Sequence, residues 1–179
     1  LLFYRINPVN SAESETNEKI ELCVSCHGKD GISEDPKVPI IAGQHFFYLY
    51  TQLKDYKARR REHEIMTEIA ANLSKTEMKE LAKYFSEQTW PRIEDAASEK
   101  DIFIAERAAT AGQCVQCHLG GYEGGSRVPR LSGQKASYLE VTMLAFKYKK
   151  RLNSPAKASL MNVYSDRELK ALANFLADF

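Results

Sequence analysis

Apolar residues recur at helical spacing along most of the chain, and they do so in two rounds. Phe46, Leu49, Tyr50, Leu53 and Tyr56 fall at three- and four-residue intervals, which predicts a helix starting near His45. Leu139, Met143 and Phe146 predict its counterpart, starting near Lys135. Met78, Leu81, Ala82 and Phe85 form a second stripe, and Leu169, Leu172, Ala173 and Leu176 form its counterpart. Both of these helices have a sharp start. Ser74-Lys75-Thr76-Glu77 and Ser165-Asp166-Arg167-Glu168 are capping boxes, in which serine and glutamate satisfy each other's backbone N–H groups.

A further helix is predicted at the head of each round, over about Glu15 to Cys26 and Asp101 to Cys117. Ile20 and Leu22 supply apolar positions in one, and Ile102, Phe103, Ile104 and Ala105 in the other, with less regular spacing. The aromatic ends Tyr84-Phe85 and Phe175 are expected to pack back on these first helices. Glycine and proline punctuate the stretches that follow: Gly28, Gly31, Pro36 and Pro39, then Gly120, Gly121, Gly124, Gly125 and Pro129. No strand-period alternation stands out, so the fold class is all-α.

The two rounds are copies. Cys23 and Cys114 are 91 residues apart, as are His27 and His118. At a shift of 90, Pro39 meets Pro129, Gly43-Gln44 meets Gly133-Gln134, Tyr48-Leu49 meets Tyr138-Leu139, and Arg61 meets Arg151. The shift returns to 91 at Ser74 and Ser165, Glu77 and Glu168, and Leu81-Ala82 and Leu172-Ala173. A unit of roughly ninety residues has been duplicated. The expected organisation is an arm over 1–14, a first domain over 15–88, a linker over 89–99 containing Trp90-Pro91, and a second domain over 100–179. Each unit is small for a generous core of its own.

Composition narrows the class. At 179 residues, 44% hydrophobic and 27% charged, the chain suits a globular protein. Its net charge of +1 argues against a nucleic-acid partner. No apolar run is long enough to span a bilayer, so membrane contact is at most peripheral. Leu1 to Ile6 is too short for a signal-peptide core, so no signal peptide is expected in this chain.

The chemistry lies in Cys23-Val24-Ser25-Cys26-His27 and Cys114-Val115-Gln116-Cys117-His118. Both read C-x-x-C-H, the pattern of covalent c-type haem attachment. Two thiols about one helical turn apart can each add to a vinyl group of one porphyrin edge. The histidine that follows is then placed to ligate the iron. A zinc site or a redox dithiol is the competing reading. Zinc does not need a histidine after each second cysteine, and a thioredoxin-like motif would sit in a βαβ pattern that is not visible here. All four cysteines belong to the two motifs. Two covalently bound haem c groups are therefore expected, each supplying apolar surface that the small units lack. Haem attachment of this kind takes place outside the cytoplasm in bacteria, which predicts a periplasmic, exported protein.

The sixth iron position can hold methionine, histidine or nothing. In the first unit Met66 is the candidate, eight residues before Ser74, with His63 as its competitor. Met78 lies in an apolar stripe and reads as core. In the second unit the residue eight before Ser165 is Lys157, and Met161 follows one turn later, after the loop Asn153-Ser154-Pro155-Ala156-Lys157. Met161 is the candidate there, with Lys157 or an open iron as alternatives; Met143 aligns with Leu53 and reads as core. The basic clusters Lys57 to Arg61 and Lys147 to Arg151 suit helix C-termini. Arg61, Arg151, Tyr56, Trp90 and Tyr148 are candidates for hydrogen bonds to haem propionates. No acid–base pair is placed for peroxide chemistry, so no catalytic residue is assigned.

With these stretches in view, the chain resembles dihaem class I cytochromes c of the cytochrome c4 type. The resemblance rests on both C-x-x-C-H motifs, on Pro39-Ile40-Ile41-Ala42-Gly43-Gln44, on Tyr48 to Leu53, on Met66 to Ser74 and on Leu81 to Phe85. It implies two tandem cytochrome c-like domains related by a pseudo-twofold, and single-electron transfer between a redox donor and an acceptor. It implies thioethers at Cys23, Cys26, Cys114 and Cys117, proximal ligands at His27 and His118, and a distal ligand at Met66. The departure at Lys157 bears on the second methionine. The family also includes dihaem subunits that serve a flavoprotein or other dehydrogenase, as in flavocytochrome c sulfide dehydrogenase. Residues 1–90 carry 12 basic and 14 acidic side chains, and residues 91–179 carry 13 and 10, an asymmetry that could orient the molecule between partners.

Overall fold

The computed structural model describes residues 11–91 and 97–179, with side chains from Thr16 onward. The first ten residues of the expected arm, and residues 92–96 of the expected linker, lie outside the described residues. Apart from an isolated bridge between Gly125 and Val128, the described residues hold helices and loops and no strand. The first half contains α1 (Ser11–His27), α2 (Phe46–Lys57), α3 (Glu64–Ala71) and α4 (Lys75–Ser86). The second contains α5 (Glu99–Ala111), α6 (Val115–His118), α7 (Ala136–Lys147), α8 (Pro155–Met161) and α9 (Asp166–Asp178).

The predicted starts of α2, α4, α7 and α9 hold. Ser74 and Ser165 both close complete capping boxes with Glu77 and Glu168. The head helices differ from expectation in two ways. α1 already includes residues 11–14, which were expected to belong to an arm. In the second half α5 ends at Ala111, because Gln113 takes a left-handed φ of 51°, and the motif restarts as the short α6. Two short helices, α3 and α8, were not predicted. Each is started by a side chain that accepts from its first turn. His63 Nδ1 does so for Ile65 and Met66, and Ser154 for Lys157. The expected loop Asn153–Lys157 is therefore helical from Pro155 on, with proline in the first turn where its missing N–H costs nothing.

Packing repeats in both halves. The first helix meets the last, α1 on α4 and α5 on α9, while α2 meets α3 and α4, and α7 meets α8 and α9. Leu73, Met78 and Leu81 form the first core, with Ile20, Cys23, Tyr50 and Leu53 against it. The second is larger. Ala105, Ala108 and Ala109 of α5 let α9 approach closely with Leu169, Leu172 and Leu176, and Phe175 packs against this core, edge-on to Tyr122 and Phe179. Met78 is buried and Met143 lies against the second core, as their stripes require.

The halves are joined by a reciprocal set of bonds. Gln134 accepts from Ile40 N–H and donates to the Ile40 carbonyl, both at 2.9 Å. Its counterpart Gln44 accepts from Arg130 N–H at 2.9 Å and donates to the Arg130 carbonyl at 3.1 Å. One position further on, His45 bonds the Glu123 carbonyl at 2.8 Å, while Lys135 donates to the carbonyls of Ser33 and Asp35. Residues 90 apart thus do the same work from opposite sides, which is the pseudo-twofold in hydrogen bonds. Trp90 sits over both glycines of the repeat. A Cβ on Gly43 would lie 2.7 Å from Trp90 N, and one on Gly133 would lie 3.2 Å from its indole nitrogen. Both glycines also hold positive φ, 61° and 67°.

Candidate haem-binding sites

Each C-x-x-C-H motif lies at the end of a helix, so its histidine is the last helical residue before a loop turns back. That loop brings a proline carbonyl onto the ring. His27 Nδ1–H donates to the Pro39 carbonyl at 3.1 Å, and His118 Nδ1–H to the Pro129 carbonyl at 3.0 Å. A carbonyl only accepts, so Nδ1 must carry the proton and Nε2 keeps its lone pair. Histidine ligands of metals commonly hold their second nitrogen in this way.

Electrostatics keep both rings neutral, as ligation requires. Burial lowers the His118 pKa to about 4, the Pro129 bond opposes this, and Lys157 pushes further down. Burial also lowers His27, with Lys135, Arg61 and His63 adding to the effect against the Pro39 bond. Both rings are buried. Burial, then Cys26, pushes the Cys23 thiol up to about 11, and burial raises Cys114. None of the four cysteines forms a disulfide. The zinc alternative needs converging donors. Among the described residues no group of three or more His, Cys, Asp or Glu side chains stands so as to hold a metal ion.

Between the halves lies a polar cluster that local sequence patterns do not reveal. Arg61 and Arg151, read from sequence as helix-terminal cations, are 9% and 7% exposed. Arg61 donates to Gln52 at 2.9 Å and to the Tyr138 hydroxyl at 3.0 Å. Arg151 donates to the same Gln52 oxygen at 2.8 Å and to Asn153 at 3.0 Å. Arg61 also lies over the Tyr56 ring, and Arg151 over Phe146. Among the described residues neither guanidinium has a carboxylate within ion-pair distance. Two buried cations without counter-ions are costly. Their field shows on the phenols. Burial opposes ionisation of Tyr138, yet Arg61 and Arg151 pull its pKa down to about 7. Tyr56 rises to about 12, because burial, helped by the neighbouring Tyr138, outweighs the pull of Arg61 and Arg151.

These features fit a haem. Two histidines offer free Nε2 atoms beside paired thiols, and two uncompensated guanidiniums suit the propionate carboxylates. Of the sequence candidates for those carboxylates, Arg61, Arg151 and Tyr56 come together. Tyr148 does not: it is half exposed and donates to Asp166 at 2.8 Å, beside Lys147. Trp90 stays with the glycines, with Arg130 over its ring.

The sixth-ligand candidates lie on α3 and α8. Met66 is half-buried and is the third residue after its cap. His63, its competitor, is exposed and spends Nδ1 on capping α3. In the second half the third residue after the cap is Lys157, half-buried, with no hydrogen bond or ion pair for its ammonium among the described residues. Met161 lies one turn later and packs against the core that also borders Cys114 and Leu131.

No protein-family model matches the chain. It is 35% identical over 173 residues to cytochrome c4 of Thiocapsa roseopersicina, covering 87% of this chain and 85% of that protein. It is 32% identical over 170 residues to the thiosulfate dehydrogenase electron acceptor of Stutzerimonas stutzeri strain A1501, covering 87% of this chain and 78% of that one. Among solved structures, cytochrome c4 of Acidithiobacillus ferrooxidans superposes with a TM-score of 0.77 at 29% identity, over 88% of this chain and 98% of that chain. With two helical halves that each present the same histidine and cysteine pair, the chain belongs to the cytochrome c4 family, electron-transfer proteins with two covalently bound haem c groups.

Proposed function

We propose that this protein is a periplasmic carrier that passes single electrons between a redox donor and an acceptor, one haem in each domain. The domains are 15–88 and 100–179, joined by 89–99, with 1–14 ahead of them. The proposed thioethers are at Cys23, Cys26, Cys114 and Cys117, the proximal ligands at His27 and His118, and the distal ligands at Met66 and Met161. The observation that carries this is the pair of buried, neutral histidines, each held by a proline carbonyl with Nε2 free.

Each haem, when bound, supplies the ferric–ferrous couple. The chain does the rest. Pro39 and Pro129 fix the ring orientations and the tautomers. Thioethers at the methionines favour a low-spin iron and a raised potential. Arg61 and Arg151 would supply positive charge to the propionate carboxylates, and the two apolar cores would keep water away.

A spectrum of the ferric protein, with haem quantified per chain, tests this. Two low-spin haems with the weak far-red band of methionine–iron ligation at two-site intensity support the full ligand set. A second reading of one position is favoured by a specific observation: Lys157, not Met161, stands in register with Met66. Half intensity of that band with both haems still low-spin would move the second distal ligand to Lys157, and half intensity with a high-spin component would mean an open iron.

The likeness to a thiosulfate dehydrogenase electron acceptor supports a second setting for the same chemistry, as the dihaem electron-accepting subunit of a larger dehydrogenase, a flavoprotein included. Purification as a stable complex with a catalytic subunit favours this setting. A monomer in size-exclusion chromatography counts against it.

A further inference from the structure

The two halves are tied together at the same peptide groups that hold the proximal histidines. The Pro39 carbonyl accepts from His27, and the N–H of that same peptide unit, at Ile40, donates to Gln134 of the other half. The second half repeats this. The Pro129 carbonyl accepts from His118, and the N–H of that unit, at Arg130, donates to Gln44. Each run therefore reads histidine ring, peptide group, glutamine of the opposite half. The four distances are 3.1 and 2.9 Å in one run and 3.0 and 2.9 Å in the other.

We infer that Gln134 and Gln44 are positioning residues that couple each proximal histidine to the opposite half of the molecule. The coupling rests on the reading of His27 and His118 as iron ligands. A peptide unit is one conjugated system, so a hydrogen bond accepted from its N–H makes its carbonyl a better acceptor. A better acceptor draws the Nδ1 proton and leaves Nε2 more electron-rich. An electron-rich ligand favours the ferric state. Gln134 thus holds down the potential of the haem on His27, and Gln44 that of the haem on His118. Both glutamines are 3% exposed and Ile40 is 1% exposed, so in the Gln134 run water is not available to replace the bond; in the Gln44 run Arg130 is half-buried. Each amide also donates back to the carbonyl of the residue it accepts from, which fixes which way the side chain faces.

The dihaem protein carrying Gln134→Met tests the coupling. This side chain keeps the length and loses all three hydrogen bonds of the Gln134 amide, two with Ile40 and one accepted from the Lys135 N–H. Two readouts are needed: the two reduction potentials from a spectroelectrochemical titration, and the Nδ1 proton resonances of the reduced protein. Met66→His in a parallel sample lowers the first half's step and so identifies it. The expected result is crossed. Gln134→Met raises the potential of the haem on His27 and moves that histidine's Nδ1 proton upfield, while the haem on His118 keeps its values. Gln44→Met does the reverse, and decides the matter if Gln134→Met does not yield folded protein. A shift confined to the mutated residue's own half, an equal shift of both haems, or no shift overturns the coupling. The ligand reading is checked separately by His27→Ala, which removes one of the two low-spin haem signals. Given that loss, unmoved potentials in the glutamine variants defeat the coupling alone.

Discussion

Lys157 occupies on α8 the place that Met66 occupies on α3, the third residue after the side chain that caps the helix. The duplication has thus put an amine where its first copy has a thioether, and a thioether, Met161, one turn further on. With Met161 as the ligand, Met161→Leu removes about half of the methionine–iron band and leaves a high-spin or lysine-ligated second haem. Lys157→Ala leaves the band intact. If Lys157→Ala changes the second haem while Met161→Leu does not, the ligand is the amine.

Arg61→Gln and Arg151→Gln each remove a buried charge that no carboxylate of the described residues balances. A cation stabilises the reduced, less positive iron more than the oxidised one. Each substitution is therefore expected to lower the haem potentials. Arg59→Gln, at an exposed side chain paired with Glu62 and Glu68, serves as control and is expected to have a much smaller effect because solvent screens it. Potentiometric titration of the three variants measures this.

The capping boxes make the fold sensitive to acid in a defined direction. Bonds from the Ser74 and Ser165 side chains and backbone N–H groups hold Glu77 and Glu168 below the ordinary 4.5. A lowered folded-state pKa means that this stability is present above about pH 4.5 and is lost as the pH falls through the folded value. Glu77→Gln with Glu168→Gln keeps the helices but removes this part of the acid dependence. Ser165→Ala is expected to cost ~1 kcal/mol at neutral pH. Thermal melts between pH 3 and 7 report both.

In the second core the Tyr164 hydroxyl donates to the Ala108 carbonyl at 3.0 Å, and a Cβ on Gly112 would lie 2.0 Å from that hydroxyl. Tyr164→Phe is expected to cost roughly 1 kcal/mol, since the carbonyl still accepts from Gly112 N–H. Gly112→Ala costs more in the native background than in Tyr164→Phe, where the oxygen is gone. Chemical denaturation of the four proteins of this cycle gives the coupling.

Much of this was legible in the chain. The serines and glutamates of the capping boxes are neighbours in sequence, and their geometry is local. The cysteines and histidines are spelled out in five residues each. The short helices α3 and α8 were missed because they run for only eight and seven residues and start without a capping box, although Ile65, Met66, Ile69 and Ala70 of α3 do fall at helical spacing. Arg61 and Arg151 read as helix-terminal cations and as candidates for propionate contact, with no local sign that they would be buried. They are buried only because the halves close over them, bringing Tyr138 to Arg61 across 77 residues. Gln44 and Gln134 were visible as a repeat, yet their partners lie 86 and 94 residues away, where no local pattern reaches.

The two guanidiniums between the halves converge on a single oxygen, that of Gln52, whose counterpart 90 residues on is Thr142. A perfect duplication would have given each arginine its own acceptor. Here one exchange of residue type draws both cations onto a side chain of the first half. Two sites that began as copies of one ancestor therefore do not sit in equal fields. An electron on the molecule is expected to meet a slope rather than a plateau, and this one exchange contributes to it.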